Sequence, residues 1–195
     1  MGFWRKLSIR IWYLWHFRAI FSYLIQILKG YMPWKGVFSK SFSAHQLSAF
    51  LKEKVEWRAE RIDRIQHPRE TLKKGSGDCD DMGYLWLCLG KKNGLVLKAN
   101  GHMGKIYPHG LLTSLWQMPD GTREGHCVAI YLEKATNKVW LGDNHEIYSP
   151  QIYLTRQFPG SIYRHLAKLI APGDATVVYC DVVKPNLFSR IHWSF

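Results

Sequence analysis

No acidic residue precedes Glu53 in this chain of 195 residues, yet eight lysines and arginines do. Arg5, Lys6, Arg10, Arg18, Lys29, Lys35, Lys40 and Lys52 therefore supply eight of the net twelve positive charges within the first quarter of the chain. Such asymmetry points to an anionic partner, or else serves solubility alone. The other absences exclude whole classes. The four cysteines (Cys79, Cys88, Cys127 and Cys180) are widely spaced with no C-x-x-C pair, which argues against a zinc ribbon and a small disulfide scaffold. Reduced thiols in a cytoplasmic setting are the expectation. No segment repeats at a fixed period, none is of low complexity, and there is no phosphate loop, calcium loop or nucleic-acid motif. Long uninterrupted apolar runs are missing too. In "MGFWRKLSIRIWYLWHFRAIFSYLIQILKG" the longest stretch without a charged side chain or histidine, Ala19 to Leu28, is ten residues, against the roughly 20 that a membrane span needs. No small-x-small cleavage site follows, and Lys6 stands where a myristoylation signal has Ser or Thr.

What the N-terminal segment does contain is an arc of cations among tryptophans and aliphatic residues. It is expected to form a basic, aromatic helix over residues 1–32. That helix is docked on the following domain or lies in an anionic membrane interface with its cations reaching outward. Gly30, Pro33 and Gly36 punctuate the chain there, so residues 33–195 are expected to form the main domain. Within it, 43–65 reads as a helix capped by Ser43, and Pro68 opens an approach loop. A helix from Cys79 carries Met82, Leu85, Trp86 and Leu89 on one face, closed by Lys91, Lys92, Asn93 and Gly94. Short strands follow at 95–99, 126–133, 139–143 and 175–183. A long loop lies before His126, a hairpin turn at "KATNK", and a helix at 161–170. Helices first and mostly antiparallel strands afterwards is an α+β order.

The segment "GSGDCDDMG" raises the chemical question. With Asp78 as N-cap and Asp81 at the third helical position, Cys79 becomes the first residue of its helix. Its sulfur then lies at the positive end of the helix dipole, which favours the thiolate, and its backbone N–H has no intrahelical acceptor. Gly75 and Gly77 allow a sharp turn before it. Asp80 and Asp81 oppose a thiolate, so full activation calls for a neighbouring imidazolium. The competing interpretation is a buried structural cysteine with acids in a first helical turn for capping alone.

His126 opens a strand 47 residues after Cys79, and Asp143 closes the next strand 17 residues later. A hairpin between those strands brings the two ends together, so the carboxylate would orient the imidazole ring. Period two puts Cys127 on the face opposite His126, where it cannot join this constellation without a bulge. Cys88 is expected in the core and Cys180 in an apolar strand. His145, two residues beyond Asp143, is either a supporting residue behind the site or a solvated loop residue, the second being the commoner case. A zinc site from His102, His109, His126 and Cys127 lacks the short ligand spacings that such sites use.

"PRETLKKGSGDCDDMGYLWLCLG", "GHCVAIYLE" and "VWLGDN" together resemble the transglutaminase-like superfamily of cysteine enzymes, notably its small bacterial and phage-type peptidases. The resemblance spans roughly residues 45 to 145. It implies a papain-like core, in which a helix headed by the nucleophile packs on an antiparallel sheet carrying His and Asp. By that likeness Cys79 is nucleophile, His126 general base and acid, and Asp143 the orienting carboxylate. Asp78 and Asp81 support the turn. Trp57 is the candidate for the side-chain oxyanion donor, which has no unambiguous counterpart here. The implied partner is a protein or peptide substrate, with no cofactor and no metal. An anionic membrane surface is a further candidate partner for residues 1–32, and nucleic acid is not expected. The alternative is a catalytically silent relative acting as a basic binding protein for a membrane surface, a nucleic acid or an acidic partner.

Overall fold

The structure, a computed structural model, describes residues 42–59, 66, 68–90, 94–99, 102–154, 159–183 and 190–193. The basic helix expected over residues 1–32 and the lysines of 91–92 lie outside them. Helix α1 (Ala44–Lys54) starts on a full capping box: the Ser43 side chain accepts from the Gln46 N–H, and the Gln46 side chain accepts from the Ser43 N–H. It ends eleven residues before the expected position. Val55, in extended conformation, turns the chain into a two-residue strand β1 (Glu56–Trp57). The approach loop contains a short helix, α2 (Pro68–Lys74). Pro68 sits at its first position, where the missing N–H costs no helical bond. Strand β2 (Ser76–Gly77) then pairs in parallel with β1, and α3 (Cys79–Gly90) follows.

The rest is sheet with one more helix: β3 (Leu95–Ala99), β4 (His102–Gln117), β5 (Arg123–Glu133), β6 (Val139–Asp143), β7 (Glu146–Tyr148), α4 (Pro159–Leu169), β8 (Thr176–Val183) and β9 (Arg190–Trp193). The strands run in the order β7-β6-β5-β4-β8-β9, with β3 on the first part of β4, and every pair is antiparallel. The molecule is thus α+β, with helices on both sides of a curled antiparallel sheet. The hairpin at "KATNK" forms as expected, with Asn137 in the left-handed region at φ 57°.

The central strand of this sheet is β4, within the segment expected to be a long loop. Gly104, Pro108 and Gly110 break its alternation in the sequence. In the structure Pro108 and Gly110 flank a bulge, whereas Gly104 stays in regular register opposite Leu97 of β3. His109 at the bulge meets the Tyr163 hydroxyl of α4 at 2.5 Å, so the irregularity also ties a helix to the sheet. β7 and β9, equally unforeseen, are three and four residues long, too short for a period-two signal.

Each face of the sheet carries its own core. Cys127, Ala129 and Tyr131 of β5 point to α3 and α1, where Leu47, Leu51, Met82, Leu85 and Trp86 are buried. Val128 and Ile130 point the other way, to Tyr163, Leu166 and Ala167 of α4. α3 is buried from Asp80 to Leu87, which is why its sequence is apolar nearly all round. This fixes the helix, and Cys79 with it, against β5. Leu85→Ala, at a site with no solvent exposure, is expected to cost about 2–5 kcal/mol through lost burial and a residual cavity. The check is a lower urea midpoint at unchanged slope.

Candidate active site

Asp78 caps α3 as the sequence implies. Its carbonyl accepts from the Met82 N–H at 3.0 Å, its carboxylate from the Asp81 N–H at 3.5 Å, and its own N–H meets the Asp81 carboxylate at 3.4 Å. Gly75, at φ 68°, supplies the left-handed step that turns α2 into β2. Asp81 is fully buried and does structural work, accepting from both the backbone N–H and the side-chain amide of Gln66 at 2.5 Å. The carboxylates of Asp78, Asp80 and Asp81 converge within 4.8 Å. For Asp78 and Asp81 this convergence is explained by the reciprocal cap.

Cys79, partly buried at the head of α3, interacts with two side chains of β5: the imidazole of His126 and the thiol of Cys127. Period two does place these two on opposite faces. However, the last β5–β6 pair joins Ala129 to Gly142, so β5 before that point has no β6 neighbour. At this open edge both side chains reach the sulfur. The exclusion of Cys127 from the site is therefore corrected. His126 in turn bonds through Nε2 to Asp143 Oδ1 at 2.8 Å, leaving its other nitrogen for the sulfur. The Trp116 ring lies beside the imidazole, with centroids 5.8 Å apart.

The electrostatics follow from this contact set. The Cys127 hydrogen bond favours the Cys79 thiolate, burial opposes it, and His126 favours it again; the result is a thiol acidified to about 5. Among the flanking acids, it is Asp78 that opposes the thiolate. Burial pulls the His126 imidazolium down, but the bonds to Asp143 and Cys79 outweigh it and lift the ring to about 10. The Cys79 thiolate and burial together push Cys127 well above an ordinary thiol. At neutral pH the site is a thiolate–imidazolium pair beside a protonated thiol.

Asp143 is held by the turn that carries it. The Trp86 indole N–H donates to the Asn144 carbonyl at 2.8 Å, and a Cβ on Gly142 would meet the Trp86 ring at 2.8 Å. Trp86 thus touches the residues before and after Asp143, from the helix that bears Cys79. Asn144 adopts φ 45°. Of the two alternatives for His145 the solvated one does not hold: it is half-buried and meets the Val55 carbonyl at 2.5 Å, while its own carbonyl accepts from Ser48 Oγ. The turn is clamped by α3 on one side and α1 on the other.

Trp57 pairs with Gly77, two residues before Cys79. Its side chain is 49% exposed rather than packed into the site. Cys88 packs at the edge of the α3 core and Cys180 is buried on the α4 face. Trp86, Gly142, Cys127 and Gln66 were not singled out as site residues in the sequence. The one signal for Trp86 is its position two helical turns after Cys79. No protein-family model, no curated protein and no solved structure matches the chain.

Trp86→Phe keeps a ring over Gly142 and removes only the N–H. Released from Asn144, Asp143 is expected to hold His126 less firmly, which raises the pH midpoint of Cys79 alkylation by about half a unit or more. Tyr131→Phe removes a different buried donor, the hydroxyl bonded to the Trp86 carbonyl. It should lower stability without moving that midpoint, so equal shifts in both variants would contradict the clamp.

Proposed function

We propose that the chain is a cysteine-dependent acyl-transfer enzyme with a papain-like core of the transglutaminase-like kind, hydrolysing peptide or side-chain amide bonds. One observation carries this: Cys79 heads a buried helix and interacts with His126, whose Nε2 is bonded to Asp143 at 2.8 Å. A nucleophile, a base and an orienting carboxylate thus occur in one line. The thiolate attacks the amide carbonyl, and the Cys79 backbone N–H at the helix head stabilises the oxyanion. The imidazolium protonates the leaving amine, giving a thioester. His126, now neutral, takes a proton from water as the water attacks, and Cys79 leaves as the thiolate. Trp57, one strand from the turn before Cys79, offers an exposed indole to a substrate chain. Water is the acyl acceptor in this reading, so the products are a carboxylic acid and an amine.

The two acidities set the pH behaviour. Thiolate forms as pH rises through about 5, and the imidazolium is lost as it rises through about 10. Alkylation of Cys79 by iodoacetamide should rise through about 5 and stay high. Amide hydrolysis, which also needs the proton on His126, should fall again near 10. His126→Ala is expected to return the alkylation midpoint toward the ordinary cysteine value of about 8.5 and to abolish hydrolysis. Equal labelling of all four cysteines at mildly acidic pH contradicts the proposal.

A binding role rests on a separate observation, the acid-free first 52 residues with their eight cations. In this reading residues 1–32 attach the chain to an anionic membrane surface. Among the described residues no helix is long and apolar enough to cross a membrane. Removal of residues 1–32 should abolish sedimentation with phosphatidylserine vesicles at low salt and leave Cys79 alkylation intact. Unchanged sedimentation counts against the attachment.

A further inference from the structure

Strand β5 pairs along its whole length with β4, but with β6 only from Ala129 onward. Among the described residues no strand lies beside the remaining edge, from Arg123 to Val128. Which groups that edge presents follows from the ladder. The Glu133 N–H donates to the Lys138 carbonyl, so the main chain of Glu133 faces β6. The bulge lies in β4 and leaves β5 regular, so alternation turns Tyr131, Ala129, Cys127, Gly125 and Arg123 the same way. His126 has the opposite phase, since its carbonyl accepts from Ser114 Oγ of β4 at 3.3 Å. The next rung of the β5–β6 ladder would pair Cys127 with Asn144. Asn144 instead turns away at φ 45°, and its carbonyl accepts from the Trp86 indole. The N–H and C=O groups of Gly125 and Cys127 therefore point outward along an open edge.

Two further observations join this edge to the site. The first is how α3 lies along β5. Gly90 sits against the Tyr131 ring, and Gly83 sits against the strand itself, where a Cβ would meet Ala129 N at 3.6 Å and Val128 C at 3.7 Å. Cys79, one turn before Gly83 on the same side of the helix, is thereby set against the part of β5 that precedes Val128. The second is Gly125. It is exposed, its backbone is outside the left-handed region, and a Cβ there would meet only the Ser114 carbonyl at an ordinary 3.7 Å. The fold does not require glycine at this position, and glycine weakens a strand interior. A strand glycine of this kind leaves room for another backbone to approach closely.

We propose that the open edge of β5 at Gly125 binds the substrate main chain as an added strand, so that the substrate is an extended peptide segment and not an isolated side-chain amide. The chemistry rests on the acyl-transfer reading, and the binding rests on the ladder alone. Gly125 donates its N–H to a peptide carbonyl and accepts a peptide N–H on its own carbonyl. Cys127 marks the buried inner end of the edge, where the bound chain reaches the carbonyl that Cys79 attacks. Main-chain bonds are blind to side-chain identity. The edge therefore selects an unpaired, extended conformation, and it rejects proline or an N-methylated residue wherever a peptide N–H must donate. Segments already paired in a sheet or wound in a helix cannot add to it.

The test uses the full chain and two reagents that alkylate Cys79 with loss of chloride. Acetyl-trialanyl chloromethyl ketone places its peptide on the acyl side of the sulfur, and chloroacetyl-trialanine amide places it on the leaving-group side. Each is compared with versions N-methylated at one alanine in turn, and the labelled residue is identified by mass spectrometry. One of the two reagents is expected to label Cys79 about tenfold faster than an N-methylated version, as the loss of one or two main-chain bonds implies. In Gly125→Val, the rate of that reagent relative to iodoacetamide should fall by a similar factor. Labelling indifferent to N-methylation with both reagents would overturn the proposal, whatever the variant does. A dimer in solution that neither reagent dissociates would also overturn it, because a second copy would then occupy the edge. Cys79 that resists even iodoacetamide overturns both the edge and the enzyme reading. Labelling sensitive to N-methylation without hydrolysis of any peptide sinks the enzyme alone; hydrolysis with insensitive labelling sinks the edge alone.

Discussion

The bond from the Trp86 indole to the Asn144 carbonyl joins two parts of the site that the chain keeps far apart. Cys79 belongs to a helix, Asp143 to a sheet, and the sheet would tolerate many small rotations of its β6–β7 end. α3 removes that freedom because it is buried along most of its length and carries the indole two turns beyond the nucleophile. The lack of a side chain at Gly142 lets the ring sit directly on the backbone of β6. Cys79 and Asp143 are thereby placed by one rigid element, with His126 between them. Positioning of this kind matters because displacements of about 1 Å in a reacting constellation change rates by orders of magnitude.

The second constraint is where the sheet stops. Were β6 longer by two or three residues, the edge of β5 at His126 and Cys127 would be covered by main chain, and α3 could not bring its head to that edge. The strand ends instead at Asp143, so the last residue of β6 is also the partner of His126. The clamp from α1 is the counterpart. His145 and Ser48 fasten the turn that the shortened strand leaves exposed. Buried charge is tolerated here because each member has an opposite or hydrogen-bonding neighbour.

Much of this was legible in the sequence, for local reasons. The cap at Asp78, the start of α3 at Cys79, the hairpin after β5 and the pairing of His126 with Asp143 each follow from a few adjacent residues and a fixed period. The misses share a different cause. β4 hides behind Pro108 and Gly110, which flank a bulge, and helix α1 stops where tertiary pairing of β1 with β2 outweighs continued helical propensity. Cys127 was excluded by strict alternation, which holds for the strand. The exclusion failed because alternation says nothing about a helix terminus arriving at the strand's edge. Trp86 and His145 act across separations of 58 and 90 residues, and no local pattern encodes such contacts.

The coupling between acidities also divides labour between two thiols on different elements, one at the head of α3 and one on β5. A single negative charge is easier to hold in a half-buried site than two. With His126 beside it and the dipole of α3 behind it, Cys79 is the better place for that charge. Once there, it suppresses ionisation of Cys127 by direct repulsion. Linkage gives the pair a defined window. The depressed Cys79 pKa contributes folded-state stability that is complete above its unfolded value and is lost as pH falls through about 5. The raised His126 pKa contributes stability that is complete below its unfolded value and is lost as pH rises through about 10. Between those limits the thiolate–imidazolium pair is the stable form, and the same proton arrangement, which is the one the proposed acyl transfer needs, keeps Cys127 neutral.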